Sequence, residues 1–306
     1  LDNAYTNFFK GKAEFPKFKS KHKSRPSFQV PQSITIEDGL IKIPKFSKGI
    51  KASTHRILEG KTKGGTVSRT PTGKYFISIL IETNDILPTK PKVTEENTIG
   101  IDLGIKDFAI TSDGIKIANP KHLRKAISKL KYVQRRYSKY KGKRTKHRLA
   151  LLHERVVNKR NDFLHKVTKK LVVENQSIAL ENLNVKGMIQ NHKLAQAIQD
   201  VSWGKFFEFT NYKADWYGTN ILEIGRFEPS SRMSDCGQVN KELTLSDRVW
   251  TCKHCGRTYD RDIQAAKNIK KFALRNYVSG IDTQNRNELP TLVGVLTYEA
   301  ATPLGS

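Results

Sequence analysis

The sequence predicts an α/β protein of two domains with a small third module, and three observations carry that reading. Residues 28–83 alternate apolar and polar side chains with turn residues between the runs. An apolar run at residues 98–104 is followed by residues 121–170, where apolar side chains recur at helical spacing. The three cysteines, Cys236, Cys252 and Cys255, fall close together, which points to a metal site rather than a disulfide framework and to a reducing, cytoplasmic compartment. A length of 306 residues with 37% hydrophobic content allows real cores for such an arrangement.

The chain begins at Leu1 rather than Met, and LDNAYTNFFKG reads as the closing turns of a helix that started earlier, so a fragment is expected. Residues 10–25 are basic with Phe9, Phe15 and Phe18 interleaved. That composition suits gripping phosphate while stacking on bases, and equally suits a solvated loop with anchoring aromatics. Asp38-Gly39 between Ser33-Ile34-Thr35-Ile36 and Leu40-Ile41-Lys42-Ile43 is a hairpin signal, and a further strand at residues 74–81 follows Thr72-Gly73. Residues 84–97, with Pro88 and Pro91, read as a linker. Next come strands at 98–104 and 107–111, turned at Asp113-Gly114. Two long helices are expected from Leu123, Ile127, Leu130 and Tyr137, then Leu149, Leu152, Val156, Phe163, Val167 and Leu171. A strand at 177–183, a helix near 203–217, a strand near 221–224 and a helix from about Asp262 complete the body. Residues 279–306 show no periodicity and read as a disordered tail.

Charge narrows the function classes. With 55 Lys and Arg against 29 Asp and Glu the formal balance is +26, and a compact body so charged repels itself until a polyanion binds. Residues 121–170 alone hold 19 Lys and Arg and two acids, so Arg124, Lys131, Arg135, Arg136, Lys143, Arg144 and Arg148 are candidate phosphate contacts. No run of about 18 apolar residues or apolar leader is present, so no membrane partner is expected. Periodicity says nothing about oligomeric state.

Asp102 interrupts an otherwise apolar strand, and Glu181 repeats the anomaly in Ile178-Ala179-Leu180-Glu181-Asn182-Leu183. A buried carboxylate is costly unless something positive or donating meets it. Either acid alone fits a strand end with backbone or arginine partners. Two together favour a carboxylate-bound metal, which supplies the missing charge. Asp260-Arg261-Asp262 adds two acids where a helix begins; Asp260 is a natural N-cap, and capping explains only one of the pair. Three separated acids on two strands and a helix start are what a two-metal phosphodiesterase site requires.

Gly100-Ile101-Asp102-Leu103-Gly104 with Asp107-Phe108-Ala109 resembles the first RuvC motif of the TnpB family, the OrfB-type transposase-associated proteins of insertion sequences. Leu180-Glu181-Asn182-Leu183 resembles the second, and Asp260-Arg261-Asp262-Ile263 with Ala265-Ala266 and Asn268-Ile269 the third. Trp203-Gly204 and Tyr212-Lys213-Ala214 agree, as does a cysteine module placed just before the third motif. The resemblance runs from residue 1 to about residue 290 and implies an RNase H-like (RuvC) nuclease domain, DNA and a guide RNA as partners, and a transposon-encoded, RNA-guided DNA endonuclease. It also implies that Asp102, Glu181 and Asp262 are the catalytic acids holding Mg²⁺ or Mn²⁺, with Asp260 outside the triad. The domains expected are a β-rich, wedge-like remnant with a basic N-terminal segment at 1–95, the nuclease domain at 96–228 and 260–278, a zinc-ribbon-like module at 229–259 and the tail at 279–306.

Three departures from the family pattern stand out. The ribbon's second knuckle, Cys252-Lys253-His254-Cys255-Gly256, is intact, but the slot three residues before Cys236 holds Met233, a poor zinc ligand. Cys236, Cys252 and Cys255 therefore leave the fourth position open, with His254 and Asp235 awkwardly placed to fill it. Zn²⁺ is expected to be weakly held or absent, and Met233→Cys to improve its retention. Gln264 stands where the third motif usually has Asn, and the family's N-terminal recognition segment is expected to be missing before Leu1. Two alternative readings compete: a truncated or decayed member that binds nucleic acid without cleaving it, and a structural RNA-binding protein of high charge.

Overall fold

The computed structural model describes residues 2–18, 20, 26–53, 59–244, 246–280 and 293–300, the last of these as backbone. The chain forms two units, Leu1–Asp85 with Glu288–Ser306, and Ile86–Asn287. In the first, helix α1 (Asp2–Phe9) precedes strands β1 (Ser27–Val30), β2 (Thr35–Glu37), β3 (Leu40–Ile43), β4 (Phe46–Ser53), β5 (Lys61–Arg69) and β6 (Tyr75–Glu82). Asp38 and Gly39, with φ of 51° and 74°, make the expected tight turn between β2 and β3, a conformation that the twist of a two-residue hairpin demands. Alternation along β6 buries Ile77, Ile79 and Ile81 against Val30, Ile34, Ile41, Ile43 and Ala52.

The expected disordered tail is corrected in part. Val293–Ala300 is a strand that pairs antiparallel with both β6 and β4 in a seven-stranded sheet. Val293-Gly294-Val295-Leu296-Thr297-Tyr298 is rich in β-branched and aromatic residues; the strand pairs with β6 along its whole length and with β4 at Glu299 and Ala300. The remaining tail positions, 281–292 and 301–306, lie outside the described residues, as do residues 19 and 21–25 of the basic segment.

The second unit contains β7 (Thr98–Leu103), β8 (Asp107–Thr111), β9 (Lys116–Ala118), α2 (His122–Tyr140), α3 (Lys143–Glu174), β10 (Ser177–Glu181), α4 (Val185–Ile189), α5 (Ala195–Val201), α6 (Trp203–Tyr217), β11 (Asn220–Ile224), β12 (Val249–Thr251), β13 (Thr258–Asp260) and α7 (Arg261–Val278). Residues 86–97, expected as a linker, pack within this unit: Val93 is buried, and the Pro91 carbonyl accepts from the Asn220 side chain at 2.8 Å. The five-stranded sheet runs β11-β10-β7-β8-β9, with β7, β10 and β11 parallel and β8 and β9 antiparallel. Ile99, Ile101, Ile178 and Leu180 face a core with Leu164 and Leu171 of α3, Ile198 of α5 and Phe206 of α6. Ala179, Leu222 and Ile224 face the other way, against Ile269, Phe272 and Ala273 of α7.

The α2 and α3 helices form a hairpin through Lys141, in the left-handed region, and Gly142; Leu130, Val133, Leu152 and Val156 are its seam. Between α6 and α7 the β12–β13 hairpin has a small core of its own, Leu243, Trp250, Cys252 and Tyr259.

Candidate active site

Strand period two decides where the acids point. Gly100 and Asp102 lie two apart on β7, Ala179 and Glu181 two apart on β10, and Ala179 pairs with Gly100 in parallel register. Since Ala179 faces α7, so do Gly100, Asp102 and Glu181. Helix α7 lies against β7 at Gly100: a Cβ there would collide with the Ala266 carbonyl oxygen and come within 2.9 Å of Lys270. One helical turn before Ala266 stands Asp262, on the same face of α7. The close helix–strand contact thus carries a carboxylate from the helix start toward the two at the strand ends.

Asp260 caps α7, its carboxylate accepting from Asp262 N at 3.0 Å and Ile263 N at 3.2 Å, while Lys116 Nζ donates to its other oxygen at 2.8 Å. Burial pushes the Asp260 carboxyl up, but Lys116 and the two amides outweigh it and the net displacement is downward. Asp260 is thereby fully used as a cap and ion pair.

Asp102 is in a different state. It retains some exposed surface, yet burial of its carboxyl, followed by the negative charges of Asp262 and Glu181, pushes its pKa up from the ordinary 3.8 to about 7. Glu181 is also raised, by burial. The negative charges of Asp262 and Glu181 thus both act on Asp102. Among the described residues only the three cysteines have ligand atoms all within 4.8 Å of one another, so the three carboxylates are not drawn that close. An all-oxygen donor set with excess negative charge around a partly dehydrated carboxyl has the chemistry that hard divalent cations take.

Arg248, in the loop before β12, donates through Nη1 to both Asp262 oxygens at 3.1 and 3.3 Å, and Arg261 Nε lies 3.8 Å from Asp262. Neither arginine was expected at the site. Arg248 sits in Ser246-Asp247-Arg248, a stretch without periodicity, so only the fold of the ribbon brings it to the acid. The Gly100 glycine does carry a sequence signal, because a glycine inside an apolar strand marks a close backbone approach.

The three cysteines converge as expected, with Cys236 Sγ and Cys252 Sγ 3.8 Å apart. Hydrogen bonds from Ser234 first, then from the Gln238 backbone and neighbouring side chains, lower the Cys236 thiol to about 6, and Ser234 leads the hydrogen bonds that lower the Cys252 thiol. The seven candidate phosphate contacts, Arg124, Lys131, Arg135, Arg136, Lys143, Arg144 and Arg148, are all exposed on α2 and α3. Arg124 also lines a cavity of about 320 Å³ with Asn119, Lys121, Lys193, Gln196 and Asp200. Among the described residues no helix is long and apolar enough to cross a membrane.

The chain has relatives among known proteins. Residues 78–192 match the OrfB_IS605 family, described as a probable transposase, and residues 203–269 match the Cas12f1-like TNB domain. A protein of Streptomyces pristinaespiralis named "Putative RNA-guided DNA endonuclease" is 38% identical over 278 residues, covering 88% of this chain and 68% of that protein. The protein InsQ of Escherichia coli K12, of the same description, is 30% identical, covering 88% and 71%. Among solved structures, a Cas12f1-sgRNA-target DNA complex is 16% identical with a TM-score of 0.45, covering 87% of this chain and 74% of that one. The class defined is that of transposon-associated proteins carrying an OrfB-type core and a cysteine module. The chain belongs to the TnpB family.

Proposed function

We propose that the protein is a transposon-encoded, RNA-guided DNA endonuclease whose nuclease centre is Asp102, Glu181 and Asp262 in an RNase H-like (RuvC) domain. One observation carries the assignment of the centre: β7, β10 and α7 direct these three carboxylates to one side of the sheet, where burial and the other two acids hold the Asp102 carboxyl near pKa 7. The fold assignment rests on the sheet, three antiparallel strands continued by two parallel ones. The function rests on membership of a family whose relatives bear that description.

Asp102, Glu181 and Asp262 would hold Mg²⁺ or Mn²⁺, which supply acidification of the attacking water and charge neutralisation at the departing 3′ oxygen. The chain's own residues do the rest. The strand ends and the close-packed start of α7 fix the acids on rigid elements. Arg248, held at Asp262 on a half-exposed side chain, stands where a scissile phosphate can take its guanidinium. The exposed cations of α2 and α3 hold backbone phosphates, which neither read sequence nor take part in cleavage. Base pairing with the guide supplies the recognition.

The test is guided cleavage of a DNA duplex by the full chain in Mg²⁺. Cleavage is expected to vanish in Asp102→Ala while nucleic-acid binding is kept. Undiminished cleavage by Asp102→Ala, free of contaminating nuclease, removes the assignment of the acids. Binding without cleavage in the unsubstituted chain supports the second reading, a non-cleaving binder. That reading draws on the cysteine module, which has one thiolate fewer than the family's ribbon.

A further inference from the structure

The position three residues before Cys236 does not face the thiols. Met233 is buried against Val93, Leu222, Ile224 and Phe272, and its carbonyl is held by α7, accepting from Asn268 Nδ2 at 2.7 Å and Gln264 Nε2 at 3.3 Å. The chain then turns tightly, with Ser234 N donating to Gln238 O at 3.0 Å and Gly237 in the left-handed region at φ 85°. This turn delivers the next side chain to the cysteines. Ser234 is wholly buried, and its Oγ lies 3.1 Å from Cys236 Sγ and 3.5 Å from Cys252 Sγ.

We propose that Ser234 Oγ is the fourth donor of a Zn²⁺ site whose other three ligands are the thiolates of Cys236, Cys252 and Cys255. A tetrahedral zinc with Zn–S near 2.3 Å and Zn–O near 2.1 Å has an S···S edge of about 3.8 Å and an O···S edge of about 3.6 Å. The Cys236–Cys252 separation is 3.8 Å, and the serine contacts are within half an ångström of the oxygen edge. Three donors of this tetrahedron are thus at ligand spacing, and Cys255 Sγ lies within 4.8 Å of the other two sulfurs.

The competing donors each contact one thiol at most, whereas Ser234 Oγ contacts two. Asp235 turns its carboxylate to α7, accepting from Gln264 Nε2 at 2.9 Å. His254 is exposed, inside the Cys252–Cys255 knuckle, and hydrogen-bonds Cys236. The Tyr259 hydroxyl stands 3.7 Å from Cys255 Sγ but accepts from Asp235 N. A neutral hydroxyl is a harder and weaker donor than a thiolate, so the site is closed yet binds less tightly than a four-thiolate ribbon. This inference concerns only the ribbon and stands apart from the nuclease assignment.

The experiment uses the full chain, freed of metal under reducing conditions and titrated with Co²⁺, then competed for Zn²⁺ against a chelating dye. The variants are Ser234→Cys, Ser234→Ala, Met233→Cys, His254→Ala and Tyr259→Phe. Ser234→Cys is expected to raise the thiolate-to-cobalt charge-transfer intensity by about one third, from three thiolates to four, and to tighten Zn²⁺. Ser234→Ala should weaken Zn²⁺ by at least about tenfold, the loss typical of removing even an outer partner. Met233→Cys should alter neither readout, and His254→Ala and Tyr259→Phe should keep tetrahedral cobalt spectra. The proposal is overturned if Met233→Cys rather than Ser234→Cys adds the fourth thiolate, or if His254→Ala or Tyr259→Phe loosens zinc while Ser234→Ala leaves it intact.

Discussion

At Gly100 a methyl group has nowhere to go, because the Ala266 carbonyl and the Lys270 backbone already occupy that space. Gly100→Ala should therefore force α7 off the sheet and cost about 1–3 kcal/mol, the usual penalty of overpacking. Chemical denaturation measures it, and unchanged stability would mean that α7 can shift without loss. Asp102 gives a prediction in pH. Its folded-state value, about 7, lies above the ordinary 3.8, so the folded metal-free chain binds a proton that the unfolded chain releases. Stability from this group is accordingly full below about pH 4 and falls as pH rises toward 7. The penalty above pH 7 is at most roughly 4 kcal/mol, less what the residue's remaining solvent contact screens. Asp102→Asn in chelator should raise the melting temperature little at pH 4 and most above pH 7; a gain independent of pH would assign the effect to something other than this carboxyl. The acid was legible in the sequence because a carboxylate inside an apolar run has to be explained. Ser234 was not, since counting three back from Cys236 leads to Met233, and only the hydrogen-bonded turn decides which side chain meets the thiols.

The long helices were the most legible elements, because nineteen residues of α2 and thirty-two of α3 repeat their apolar spacing over many turns. The short α4 and α5 were not anticipated, as five and seven residues are too few to show a period. Yet α5 holds the start of α2. The preceding Lys121 makes no side-chain capping bond, and Asp200 of α5 instead accepts from Leu123 N at 2.8 Å and Arg124 N at 3.0 Å. Asp200→Ala leaves both amides unpaired and should cost about 1–2 kcal/mol, with hydrogen exchange accelerated first at residues 122–125. Exchange that quickens uniformly would show that Asp200 serves the core rather than this helix end. For the basic faces, replacing Arg135, Arg136, Lys143 and Arg144 together should reduce the slope of log affinity against log salt. The reduction is about 0.9 for each phosphate no longer neutralised on duplex DNA and about 0.7 on a single strand. An unaltered slope would leave these side chains as a solvated surface.

Over the whole molecule, alternation, apolar runs and cysteine spacing were enough to divide the chain into a β-rich first part, a mixed second part and a ribbon. They did not reveal that the first unit borrows its seventh strand from the far end of the sequence, because pairing between distant segments leaves no local period. Removing residues 281–306 should strip β4 and β6 of a partner, so amides of Tyr75–Glu82 lose protection while those of Thr98–Leu103 keep it. Equal loss in both strands would mean that the units unfold together. This topology also sets an order on biosynthesis. The ribosome finishes β6 at residue 82 and reaches the strand that covers it only at residue 293. At about 5–20 residues per second the nascent first unit waits roughly 10–40 s with two open strand edges. During that interval those edges can pair with another nascent chain, so slower synthesis of the intervening residues lengthens the exposure of an open sheet.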